Sequence, residues 1–299
     1  MTRTSFTIGL VAATLGIAPA VAADLGAFPS PVGFYPPPPV VRVYNWTGCY
    51  LGGQLGGAFA NNQLNGQLST PIPISGAGNL ITDVANNAGT TAVTLGGQAG
   101  CDLQVARNWV IGLQGDGVWT HLSGSQGITA SAGLPNAGSA TMTATALTQA
   151  NILATATGRL GYAVNYDSIA GLFYLKGGAA FVNYNTYNIS GNTAATVCAT
   201  IPVPSTGCTT FSGPFNQPFN FNAPSANQWG WTIGLGTEWV IAGNWSVFGE
   251  WDYLNFGNHS VTFTDPNAGS SSLTVKQTIN EVKLGINYRF GNPLPGQYP

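Results

Sequence analysis

A chain of 299 residues with 8 basic and 10 acidic side chains is only 6% charged, against roughly 25% in an ordinary soluble domain. That shortage excludes a globule covered by water on all sides, since too little charge exists to clothe its surface. An apolar share of 44% excludes disorder, and a formal net charge of −2 gives no footprint for nucleic acid. Past the N-terminus no apolar run approaches the roughly 20 residues of a membrane helix. What remains is a β-rich chain that sees little water on one face.

In chain order, residues 1–22 read as a signal peptide. Arg3 supplies the positive start, Phe6 to Ile17 the apolar stretch, and Ala20-Val21-Ala22 the small residues read at cleavage, before Ala23 or Asp24. Export removes the chain from a reducing cytoplasm, so its four cysteines can oxidise. Residues 23–44 contain Pro29, Pro31 and the run Pro36 to Pro39, and they read as an extended periplasmic linker.

From Thr47 onward the dominant period is two. Eight alternating segments lie at about 47–60, 92–105, 109–121, 148–164, 170–187, 228–241, 245–257 and 275–290. Each is long enough to cross a bilayer as a tilted strand of roughly 10 residues. Gaps of a few residues near 106–108, 165–169 and 242–244 alternate with long ones at 61–91, 122–147, 188–227 and 258–274. Tight turns on one side and long connections on the other predict an eight-stranded antiparallel up-and-down transmembrane β-barrel over 45–290, with short periplasmic turns and long extracellular loops. Residues 291–299 would then form a periplasmic tail.

Parity sorts the charges. Leu95, Ala99, Cys101 and Leu103 share one face of the second segment, opposite Gln98 and Asp102; Trp109, Ile111 and Leu113 oppose Gln114 and Asp116 in the third. Leu160 and Tyr162 oppose Arg159, Trp229 to Trp239 oppose Glu238, and Val282 to Phe290 oppose Glu281, Lys283 and Arg289. Lys176, Glu250 and Asp252 take the same polar parity. All ten charges therefore point away from lipid, where an arginine or lysine at the midplane costs roughly 2–4 kcal/mol. Aromatics fall into two bands suited to two headgroup layers. Trp46, Tyr50, Trp109, Tyr162, Phe173, Trp239, Trp245, Tyr288 and Phe290 lie at the periplasmic ends; Phe59, Trp119, Phe181, Trp229, Trp231 and Tyr253 lie at the outer ends.

The stretch Asn45-Trp46-Thr47-Gly48-Cys49-Tyr50-Leu51-Gly52-Gly53 resembles the first strand of the small porin-like, immunogenic outer-membrane proteins of Gram-negative bacteria, eight-stranded barrels similar to the OmpA transmembrane domain. Gly96 to Gly100, Gly158 to Tyr162, Trp231 to Gly236 and Val282 to Phe290 continue the resemblance in order, at the strands and scarcely in the loops. It implies a cell outer-membrane location amid lipid and lipopolysaccharide. It also implies that Lys283, Gly285, Tyr288 and Phe290 form the signal read by the barrel-assembly machinery. The nine residues after Phe290 depart from the family's usual ending.

Cys198 and Cys208 share one long loop, and their spacing predicts a disulfide. Cys49 and Cys101 take the outward parity of adjacent strands, as a cross-strand disulfide or as two free buried thiols. No Cys-x-x-Cys pair exists and His121 and His259 are the only histidines, so neither a metal nor another cofactor is expected. Both histidines lie at outer strand ends, near Asp116, Asp252 or Ser260, without a nucleophile motif, so no enzyme is expected. Eight strands enclose a space that side chains can fill, where opposite charges should pair; inward glycines (Gly52, Gly56, Gly96, Gly100, Gly112, Gly234, Gly236) leave some room. Two functions follow: a structural, surface-display barrel, or, as the family's porin-like label implies, a narrow non-specific pore for ions and small solutes.

Overall fold

The computed structural model describes residues 44–73, 78–134, 138–166, 169–199 and 210–290. The export signal, nearly all of the linker and the tail after Phe290 lie outside the described residues, as does Cys208 with its proposed bond to Cys198.

Among the described residues there is no helix; nine strand segments follow in order. They are β1 Gly48–Pro71, β2 Asn79–Gln104, β3 Trp109–Leu134, β4 Gly138–Tyr166, β5 Ile169–Ala199, β6 Thr210–Ala223, β7 Ala226–Ala242, β8 Trp245–Asp265 and β9 Gly269–Phe290. All pairings are antiparallel, and eight segments close a ring in the order β1, β2, β3, β4, β5, β7, β8, β9 and back to β1. Closure removes every free sheet edge across the bilayer, where an unpaired backbone group has no water to turn to.

β6 is the outer half of the strand that β7 completes. Against β5, Ala223 is registered with Tyr187 and Ala226 with Tyr184, so the two segments lie in one column broken at Pro224 and Ser225. Proline brings no N–H to the ladder, which accounts for a break at that point. On the periplasmic side β7 returns to β8 through Gly243 and Asn244 alone, with Gly243 at φ 51°, a backbone conformation that suits glycine.

The long outer connections stand where the gaps predict, but they are themselves mostly strand. β1 runs 24 residues and β5 runs 31, against the roughly 10 needed to span a bilayer. These stretches keep the period of two and exchange its faces. On β1 the outward row is Leu51, Leu55 and Phe59, then Asn61, Asn65 and Gln67; the inward row is Tyr50 and Gln54, then Leu64 and Leu68. An outer surface that changes from oil to water demands that exchange. A reading that follows one apolar face stops at the crossover and assigns the remainder to loop.

The wall above the membrane thus encloses an ordinary apolar core, including Leu68, Met142, Tyr187, Ile189, Phe221 and Phe263. Trp109 and Trp119 on β3, and Trp239 and Trp229 on β7, stand ten residues apart on the outward face. On a tilted strand that separation is about 25 Å, the height of an outer-membrane apolar band.

Candidate functional site: the ion-paired barrel interior

All ten charged residues of polar parity face the lumen, in two layers. Nearest the periplasmic end, Asp102 of β2, Arg159 of β4, Glu238 of β7 and Arg289 of β9 form a closed circuit. Arg159 Nε lies 3.3 Å from Asp102 and its Nη2 lies 3.0 Å from Glu238; Arg289 Nη2 lies 2.9 Å from Asp102 and 3.5 Å from Glu238. Two cations face two anions. Ser246 donates to Glu238 at 2.6 Å, and Arg289 donates to the Trp46 carbonyl at 2.7 Å.

Rings alternate with these guanidinium groups. Arg289 lies 5.2 Å from the Trp46 ring centre and 5.0 Å from that of Tyr50; Arg159 lies 5.2 Å from Tyr50 and 4.1 Å from Tyr174. Each desolvated cation thereby gains aromatic faces as well as carboxylates. This corrects the aromatic assignment at two positions. Trp46 (0% exposed) and Tyr50 (2%) belong to the interior stack and not to the lipid-facing band. Tyr50 follows β1's inward parity, so its row betrayed it where its residue type misled.

The second layer holds Lys176 of β5 and Lys283 of β9 among Asp116, Glu250, Asp252 and Glu281. Lys176 Nζ lies 2.6 Å from Glu250, 3.0 Å from Asp252 and 3.6 Å from Asp116. Lys283 Nζ lies 2.8 Å from Asp252, 3.2 Å from Asp116, 3.5 Å from Glu250 and 3.8 Å from Glu281. Lysine suits this layer because its ammonium can share three donors among several carboxylates. Gln114 ties the layers together: its amide donates to Glu250 at 3.2 Å and to Gln98 at 3.0 Å, while its carbonyl accepts from Tyr50 at 3.0 Å. Tyr174 closes the same bridge by donating to Glu250 at 2.6 Å.

Glycine does not leave the lumen open. A Cβ at Gly100 would meet the Tyr50 ring, one at Gly236 the Tyr174 ring, and one at Gly112 Asp102 and Arg159. The expected room is filled by neighbouring side chains. Every ion-paired side chain is 4% exposed or less.

Cys49 and Cys101 are registered opposite each other on the outward face and joined by a disulfide. A recess of about 810 Å³ opens beside it on the lipid-facing wall, lined in part by Leu51, Ala99, Gly115, Ala156 and Phe290. His121 faces outward while Asp116 and Asp252 face inward, so the wall separates them. His259 lies against the Phe256 carbonyl. Of the residues in the C-terminal motif, Lys283 enters the lumen, Gly285 packs on the Phe248 ring, and Tyr288 and Phe290 lie outward beside Trp245.

Residues 9–290 match the model of the outer membrane protein β-barrel domain family. The chain belongs to that family. It is an outer-membrane β-barrel protein, 25% identical over 266 residues to a 31 kDa outer-membrane immunogenic protein of Brucella melitensis, with 84% of this chain and 86% of that one covered. A protein of the same description from Brucella suis matches equally. Among solved structures, OprG of Pseudomonas aeruginosa aligns at 14% identity and a TM-score of 0.35, over 84% of this barrel chain and 99% of that one.

Proposed function

We propose that this outer-membrane barrel is a non-conducting, non-enzymatic structural protein that displays its outer wall at the cell surface. One observation carries the reading: the ion-paired side chains in the lumen are almost wholly buried, none more than 4% exposed. A conduit must keep water on its charged lining, whereas carboxylates and cations in direct contact with no water between them act as a plug. The apolar core above that plug supports the same reading, because ions would meet hydrocarbon on leaving it.

The wall above the membrane exposes mainly serine, threonine, asparagine and glutamine, with Ile81, Leu147 and Phe215 among them, and is suited to contact with water and other molecules. The description of the Brucella relatives as immunogenic supports display. For β9, whose end pairs with β1, we propose the part of the edge strand read by the assembly machinery during insertion. Planar-bilayer recording of the refolded protein tests the central reading. A silent bilayer is expected, and stable conductance steps at neutral pH would replace the plug by a narrow pore.

A further inference from the structure

The outward face of each spanning strand turns from apolar to mainly polar near one height, with Leu147 and Ile81 as exposed apolar exceptions beyond it, and asparagine usually stands just above the change. Phe59 is succeeded outward by Asn61, Phe181 by Asn183, Trp229 by Asn227, Tyr253 by Asn255 and Val282 by Asn280. The other three strands place Thr91, His121 and Gln149 there. No lysine or arginine stands in this collar; Lys276 lies two outward positions higher on β9. The aromatic band fixes its height as the layer where outer-leaflet headgroups lie.

One quadrant of the collar differs from the rest. Trp229 (68% exposed) and Trp231 (51%) stand side by side on β7, each braced on one flank, by Phe181 at 5.0 Å and by Tyr253 at 5.6 Å between ring centres. Asn183 donates to Asn227 at 2.7 Å, which holds two carboxamides together directly above the indoles. The wall is also unlaced at this point. The β7–β8 ladder ends at Trp231 and Asn255, and β6 meets β8 only at Asn222 and Thr264, so Ala223 to Gly230 and Phe256 to Phe263 have no registered partners across the seam. Some backbone donors and acceptors therefore border the indoles and carboxamides, although the Phe256 carbonyl contacts His259 and the Gly257 N–H donates to Asn255.

We propose that this quadrant binds the saccharide headgroup of the outer-leaflet glycolipid, recognising its sugar rings and not its phosphates. A pyranose lays its C–H face on an open indole while its hydroxyls both donate and accept, as carboxamides and free backbone groups do. Phosphate recognition would call for arginine or lysine, and the collar has neither. The seam adds donors and acceptors that a fully laced wall does not offer to a neighbour.

The experiment measures rough lipopolysaccharide retained by the detergent-purified barrel after exchange, with dephosphorylated lipopolysaccharide and phosphatidylglycerol as comparison arms. Heat-modifiable gel migration certifies folding of each variant. Removing the phosphates should leave retention by the native protein within about twofold, and phosphatidylglycerol should not compete. The double variant Trp229→Ala/Asn227→Ala should retain about tenfold less, while Trp119→Ala, across the barrel, should match the native protein. If the double variant does not fold, Asn227→Asp is read in its place, with a similar loss expected. Retention that vanishes on dephosphorylation, competition by phosphatidylglycerol, or equal losses at Trp119 and Trp229 would overturn the proposal.

Discussion

The Arg159 guanidinium carbon stands 4.1 Å from the centre of the Tyr174 ring while its Nη2 lies 3.0 Å from Glu238. One cation from β4 thus binds β5 and β7 together through a ring face and a carboxylate. Among the described residues, removing it leaves Asp102 and Glu238 with Arg289 as their one ion-pair partner, and breaking a buried pair costs about 3–5 kcal/mol. Arg159→Met should therefore lower the unfolding free energy of the refolded barrel by that amount, read as a lower urea midpoint. Arg159→Lys should recover only part, since an ammonium cannot span both carboxylates and lie flat on the ring. Equal midpoints for the native protein and Arg159→Met would refute the circuit as a stabilising element.

The disulfide joins strands whose cysteines are 52 residues apart in sequence. Its loss should destabilise the barrel by roughly 2–4 kcal/mol, mostly through the freer unfolded chain. Urea unfolding with and without reductant, in a Cys198→Ser/Cys208→Ser background that removes the other two cysteines, measures this. In that background the further pair Cys49→Ser/Cys101→Ser should match the reduced protein and show no response to reductant.

Position along one strand should decide the effect of one substitution. Leu55 and Asn65 share the outward row of β1, one in the apolar band and one above it. Leu55→Lys should cost about 2–4 kcal/mol, whereas Asn65→Lys should stay within about 0.5 kcal/mol. Similar losses at both positions would mean that lipid covers the outer wall as well.

Acid should loosen the top of the seam. Burial pushes the Asp265 carboxyl up, but backbone N–H groups of Asn220, Ala268 and Asn267 outweigh that and hold it below the usual aspartate range. A depressed native value means that the carboxylate's contribution is complete above the unfolded value of about 3.9 and is lost as pH falls through the native one. Hydrogen exchange at the amides of Asn220, Asn267 and Ala268 should therefore be slow near neutrality and accelerate below about pH 4, after correction for intrinsic rates. Asp265→Asn should remove that pH dependence.

Much of this protein follows from its sequence. A period of two, a severe lack of charge and the alternation of long and short gaps were enough to give an eight-stranded membrane barrel. Parity alone assigned Asp102, Arg159 and Lys283 to the lumen, because lipid tolerates none of them on the other face. Parity likewise put Cys49 and Cys101 on one face of adjacent strands, while their register and their bond came from the structure. The strand lengths were not, since the apolar face itself changes sides at Phe59 and Asn61 where the surroundings become water.

Only the closed tertiary structure decided which charge meets which, because Arg159 and Glu238 become neighbours through the curvature of strands far apart in sequence. Curvature also turned the space at Gly100 and Gly236 into seats for Tyr50 and Tyr174. A single strand fixes the side on which a residue lies; the ring of eight fixes its opposite number. The difference between a wet lumen and a plugged one depends on that second choice, since both have the same composition and differ only in whether charges touch.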